Sequence, residues 1–277
     1  MKKIMLSAFF MSLIYFSQSQ TLSTPTPSPT QMVKQDFGLS VVELSYSRPA
    51  VKGRAIFGSL VPYGKVWRTG ANQATTITFG DDVWFGDTKV PAGKYGLLSI
   101  PGENEWTVLL TKALDVTSPA AYKQEMDVAR IKVKPESLPF SMESFTIMFN
   151  NVKSNTLDLD LLWDKTMVTV PIKTEVDSKV MAQINDVMKT DNRPYYQAGV
   201  YYLNNGKDLN KALEWLNKAS ELEPDAYWVW YQKANCLAKL GKKPEAMAAS
   251  AKSKQLAAAQ KNEDYVALND NLQKTLK

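Results

Sequence analysis

Three arginines, Arg48, Arg54 and Arg68, fall within one loop-rich stretch that also holds Lys52 and Lys65. A guanidinium presents a planar fork of N–H donors that matches a carboxylate or a phosphate. Tyr63 and Trp67 lie among these cations, where a ring can stack on a ligand or cover a guanidinium. Gly53, Gly58, Gly64 and Gly70 allow tight turns around the same side chains. Pro49 fixes φ and removes a donor, which places Arg48 at the end of its strand. Two readings fit. In one, Arg48, Arg54, Lys65, Trp67, Arg68 and Asn72 line a pocket for a small anionic ligand, such as a sugar acid or a peptide terminus. In the other, the arginines clamp an irregular loop by donating to its buried carbonyls, or pair with Glu43 or Asp82. Thr69 and Asn72 suit either reading, being good turn formers. Arg48 and Arg68 are expected to approach one another, and like charges so placed need a shared carboxylate or a bound anion.

Other chemistry is thinly represented. The 277 residues include no histidine, which removes the commonest general base and the commonest zinc ligand. The single cysteine, Cys236, allows no intrachain disulfide and no Cys-rich metal site, and its helical context beside Leu237 reads as a small buried hydrophobe. There is no G-x-S-x-G, H-E-x-x-H, P-loop or G-x-G-x-x-G. No catalytic residue, metal ligand or cofactor is therefore assigned. A carboxylate-dependent hydrolase, such as one acting on carbohydrate, is the alternative; Glu43, Asp81, Asp82, Glu103 and Glu105 are its available acids. Asp158 and Asp160 alternate with leucine and read as a solvated strand face rather than as calcium ligands.

The elements that must position these residues change character along the chain. From residue 31 to 174, short runs rich in Val, Thr and aromatics recur between turn signals, among them Ser40–Ser47, Thr75–Phe79, Lys94–Ile100, Glu105–Thr111 and Thr156–Trp163. That spacing predicts an antiparallel β-sandwich or barrel-like domain, with Trp163–Thr166 as a hairpin tip. From 175 to 277 the period becomes helical, with six segments from Val176 to Leu276 and stops at Gly206 and Gly241. The fold class is thus β + α, in two domains.

The helical part repeats itself. Lys211-Ala212-Leu213 and Glu245-Ala246-Met247 lie 34 apart, and Tyr195 with Gly199 matches Trp230 with Ala234. This resembles the tetratricopeptide repeat, whose small residues let paired helices approach. Ser250 and Ser253 depart from its pattern. The resemblance places Tyr196, Trp228, Tyr231 and Asn235 on the concave side, as a groove for a peptide or protein partner.

Lys2 and Lys3, the thirteen-residue apolar run Ile4–Phe16, and Ser17 and Ser19 read as a secretory signal over residues 1–19, cleaved before Gln20. Thirteen helical residues reach only ~20 Å, short of a ~30 Å hydrocarbon core, so no stable membrane span is expected. Residues 20–30, with alternating Pro and Thr/Ser, read as an extended, poorly ordered linker. Removing the two lysines of the signal lowers the formal charge from +5 to +3, too slight for a nucleic-acid footprint. The expected location is periplasmic or secreted.

The order YSRP…KGR…PYG…WRTGAN from Tyr46 to Asn72 is long and irregular, and continues in PAGKYGL at Pro91–Leu97 and EWTV at Glu105–Val108. It resembles the bacterial family called domain of unknown function 2911, over about residues 31–174. The resemblance implies an exported protein, often from Bacteroidetes-type bacteria, in some members with tetratricopeptide-like helices behind the domain. It implies no established activity. A Ser-Pro-His-like triplet often opens the family's domain; here Ser28-Pro29 is followed by Thr30. The function expected from the residues is non-catalytic binding or scaffolding in the cell envelope.

Overall fold

The computed structural model describes residues 24–190 and 192–277. The segment expected to be a secretory signal, residues 1–19, and the first part of the expected linker lie outside the described residues. The chain divides into two compact units, one ending at Glu175 and the other running from Val176 to Lys277. Among the described residues, no helix is long and apolar enough to cross a membrane.

The first unit holds ten strands among its described residues: β1 (Thr30–Phe37), β2 (Ser40–Ser47), β3 (Thr76–Phe79), β4 (Val83–Phe85), β5 (Thr88–Val90), β6 (Gly93–Ile100), β7 (Trp106–Thr111), β8 (Asp127–Val133), β9 (Glu136–Asn150) and β10 (Thr156–Thr174). They form two antiparallel sheets, ordered β1-β2-β3-β6-β7-β8 and β5-β4-β10-β9. Alternation in β2 turns Val42, Leu44 and Tyr46 inward, and alternation in β10 does the same for Leu157, Leu159, Leu161, Val168, Val170 and Ile172. These inner faces merge into one apolar core. Each fully buried aliphatic side chain there contributes roughly 1.5–3 kcal/mol. At one end the core is aromatic: Trp163 stacks on Trp67 at 5.7 Å and 15°, with Phe57 and Phe145 packed against the pair.

Four sequence expectations change. Trp163–Thr166 is not a hairpin tip, because β10 runs through it. Asp164 adopts φ 50°, its carboxylate accepts from Ser141 Oγ, and the register with β9 shifts on either side. The strand bulges instead of turning. Asp160 is not on a solvated face. It is 4% exposed and its carboxylate accepts from Asn150 Nδ2 and Thr169 Oγ1. The end of the linker is ordered: Pro29 O accepts from Arg48 N, Ser28 O from Asn72 Nδ2, and Thr30 already pairs with Ser47. The fourth is that strand structure begins before Ser40: Thr30–Phe37 pairs with β2 although both of its faces mix polar and apolar residues.

The second unit holds six helices among its described residues: α1 (Asp177–Val187), α2 (Tyr195–Asn204), α3 (Leu209–Leu222), α4 (Tyr227–Lys239), α5 (Lys243–Ala259) and α6 (Glu263–Leu276). From α2 onward, successive helices pack on one another. Asp208 caps α3 by accepting from Asn210 N and Lys211 N. Gly199 faces Leu216 so closely that an added Cβ would lie 2.9 Å from Leu216 Cγ. Ser250 and Ser253 are fully buried because Asn269 of α6 is buried with them. Ser250 Oγ donates to Asn269 Oδ1, and Asn269 Nδ2 donates to Ser253 Oγ. The departure from the repeat pattern is thus a polar lock between α5 and α6.

Candidate functional site

The segment from Pro49 to Thr75 leaves β2, crosses to the other sheet and returns to start β3. Its first residues run against β9, with Phe145 N donating to Pro49 O and Val51 N to Glu143 O. Trp67 then pairs with Ser99 of β6 through both main-chain bonds. The return needs unusual backbone. Lys52, Thr69 and Asn72 all have positive φ, at 51°, 54° and 57°. For β-branched Thr69 this is a strained conformation. Its completely buried side chain is held by Ser99 Oγ at 2.9 Å, and its carbonyl accepts from Thr75 Oγ1 at 2.6 Å. Gly70 follows at φ 153°, where an added Cβ would lie 2.9 Å from Ser47 O.

The three arginines take different roles. Arg48 donates Nε to Phe145 O at 3.0 Å and Nη2 to Thr146 Oγ1 at 2.8 Å, tying the end of β2 to β9. Arg54 closes its own turn through Val51 O and Ala50 O. Arg68 donates Nη1 to Asn72 O at 2.8 Å, and Asn72 Nδ2 holds Ser28 O at 2.9 Å. Arg48 and Arg68 share no partner. Among the described residues no carboxylate pairs with any of the three; of the shared carboxylate or bound anion expected for Arg48 and Arg68, the carboxylate is replaced by main-chain carbonyls and the Thr146 hydroxyl.

A cleft of about 280 Å³ lies over this loop. Arg54, Arg68, Asn72, Trp67 and Leu60 line it together with Ser28 and Trp163. Lys65 lies in an adjoining hollow of about 220 Å³, with Thr117 and Ser118; Leu60, Trp67 and Arg68 form the wall between the two. Of the six candidate residues, four share one cleft, Lys65 borders the next, and Arg48 lines neither. Trp67 donates its indole N–H to Gly70 O, so its ring is fixed as a wall. Sequence reasoning missed Trp163 and Ser28. Trp163 carries turn signals at its flanks, and its Nε1 is buried with no acceptor among the described residues.

The acids proposed for hydrolysis lie elsewhere. Glu43 pairs with Lys34, Glu105 with Lys132 and Asp82 with Lys89, while Asp81 accepts from Asp82 N. Among the described residues, no carboxylate lines the arginine cleft. Among the described residues, no group of three His, Cys, Asp or Glu side chains could hold a metal ion. Cys236 is fully buried, donates to Leu209 O, and has its thiol pushed up to about 11 by burial.

In the helical unit, Tyr196 and Trp228 are half-buried and pack against Ala219, Ala226 and Val229. Tyr231 meets Tyr265 of α6 edge-on at 5.5 Å, and Asn235 Nδ2 donates to the carbonyl of Tyr231. Tyr227 and Tyr265, absent from the expected groove, extend the aromatic set. Burial pushes the Tyr196 and Tyr265 hydroxyls above the ordinary tyrosine value.

Comparison with curated proteins and with solved structures finds no match. A family model described as "Protein of unknown function (DUF2911)" matches residues 28–172. The matched segment opens at Ser28, the residue that Asn72 holds at the cleft, and ends within β10. Since the match takes in the whole motif-bearing loop and more than half of the 277 residues, the chain belongs to the DUF2911 family.

Proposed function

We propose that the protein is an exported, non-catalytic binding module of the bacterial cell envelope, and that its β unit takes a small carboxylate ligand in the arginine cleft. One observation carries this reading: among the described residues, Arg54 and Arg68 line one cleft to which no carboxylate contributes, and each has guanidinium N–H groups without an acceptor there. An anion supplies the acceptors that the chain does not. Trp67 and Leu60 offer an apolar wall to the ligand's body, which suits a sugar acid or a peptide terminus. The strained Thr69 fits the same reading, since strain collects where a loop is held for binding.

The helical unit is then a tetratricopeptide-like adaptor whose Tyr196, Trp228, Tyr231 and Asn235 receive a peptide. The close approach at Gly199 and the buried Ala212, Ala219, Ala234 and Ala246 support that reading. The test is thermal stabilisation and calorimetry of the full chain with glucuronate, short dicarboxylates and inorganic phosphate. R68A and R54A are expected to abolish the response while the free protein stays folded. A response that survives both substitutions, or none with any anion, refutes the cleft as the site.

A further inference from the structure

A second surface, on the helical unit, stands independently of the arginine cleft. α3 and α5 both pack on α4. A groove of about 520 Å³ opens there, lined from α4 by Trp230, Lys233 and Leu237, from α3 by Leu213 and from α5 by Ala248 and Ala249. The α4 residues fall at i, i+3 and i+7, one stripe of a helix. The two alanines leave space that longer side chains would fill.

Charge around the groove is one-sided. Lys233, Lys242 and Lys252 line it against a single acid, Glu245. Elsewhere on this unit some lysines are paired, Lys207 with Asp177, Lys211 with Glu214, Lys218 with Glu221 and Lys254 with Asp270, while others, such as Lys243 and Lys261, stand at exposed positions. Among the described residues the three groove lysines have no such partner. Lys233 matters most. Its ammonium sits 4.6 Å over the Trp230 ring and 3.3 Å from Ser220 Oγ, while Glu221 nearby is held by Lys218. Burial lowers its pKa, with Glu221 opposing only in part. A half-buried cation without an acid is unfavourable, and a carboxylate arriving with its own apolar cover relieves it.

We propose that this groove docks an acidic amphipathic helix of a partner protein. The helix lays apolar side chains on Trp230, Leu213 and the exposed Ala248, and directs carboxylates to Lys233, Lys242 and Lys252. This is recognition of a helix in a groove, with anchors at i, i+3, i+4 and i+7.

The test uses the full chain and a labelled synthetic peptide of about four helical turns, with leucines on one stripe and glutamates flanking them. Two controls replace glutamate by lysine or leucine by alanine. The acidic peptide is expected to bind and to weaken as salt rises, and both controls are expected to fail. K233M is expected to reduce affinity at least tenfold while leaving the melting temperature unchanged or higher, an outcome that a merely structural lysine would not produce. A248W, at an exposed position, fills the groove and is expected to have the same effect on binding. The salt series and peptide controls use the unaltered chain, so they decide the matter even if a variant misfolds. Several results overturn the proposal: no binding, equal binding of the lysine peptide, or affinity that K233M and A248W leave intact. Sedimentation showing that A248W dissolves a dimer would make the occupant a second copy of this chain instead.

Discussion

Replacing Arg48 by alanine separates a clamp from a binding residue. Arg48 makes two charge-assisted bonds, to Phe145 O and Thr146 Oγ1, across about a hundred residues of sequence. Such bonds contribute roughly 1.5–3 kcal/mol each. Arg48 is only half-buried, so water recovers part of that on truncation. A net loss of about 2–3 kcal/mol follows, which for a unit of this size lowers the melting temperature by roughly 5–10 °C. Arg68 makes one bond, to Asn72 O, at the exposed surface. R68A is therefore expected to change stability by about 1 kcal/mol or less. Near-UV circular dichroism is the assay, because the stacked Trp67 and Trp163 rings report on this end of the core. R48K, which keeps the charge but not the fork, should recover about half the loss. If R48A melts with the parent protein, or R68A is as damaging as R48A, the division of labour between the two arginines is wrong.

G70A is expected to destabilise the β unit by roughly 2 kcal/mol or more, since its Cβ would lie 2.9 Å from Ser47 O; urea denaturation followed by tryptophan fluorescence measures it. N269A removes one bond from each of the buried hydroxyls of Ser250 and Ser253, which keep Gln273 Nε2 and Tyr227 O as partners, and should cost the helical unit about 1–2 kcal/mol, read from circular dichroism at helical wavelengths. Cys236, raised from 9.0 to about 11, keeps its proton in the fold at a pH where the unfolded thiol has lost it. The native state then binds more protons, so stability is full below pH 9 and falls as pH rises toward 11. C236A should remove that part of the alkaline loss, seen as a smaller drop in melting temperature between those pH values.

Strands and helices were legible because their signals are local. Alternation in Leu157–Leu161 and the glycine stops at Gly206 and Gly241 depend only on neighbours in the chain, and both returned as expected, as strand β10 and as helix ends. The misread positions share a cause. Trp163–Thr166 carries turn-forming residue types, yet Ser141 and the rest of β9 hold Asp164 in a bulge. Asp160 looks wet by alternation, but Asn150 and Thr169 satisfy it inside the unit.

The order of residues alone determined the family, the change from β to α near residue 175, and the loop in which the arginines are gathered. It could not determine what each arginine does. A guanidinium bonds whatever acceptor the fold brings within about 3 Å, and for Arg48 those acceptors lie 97 and 98 residues away. Tertiary structure decided that Arg48 became a clamp and that Arg54 and Arg68 came to line one cleft. It also set Trp163 from β10 into the wall of that cleft. Side-chain roles are set by partners distant in sequence, and only the packed fold brings those partners together.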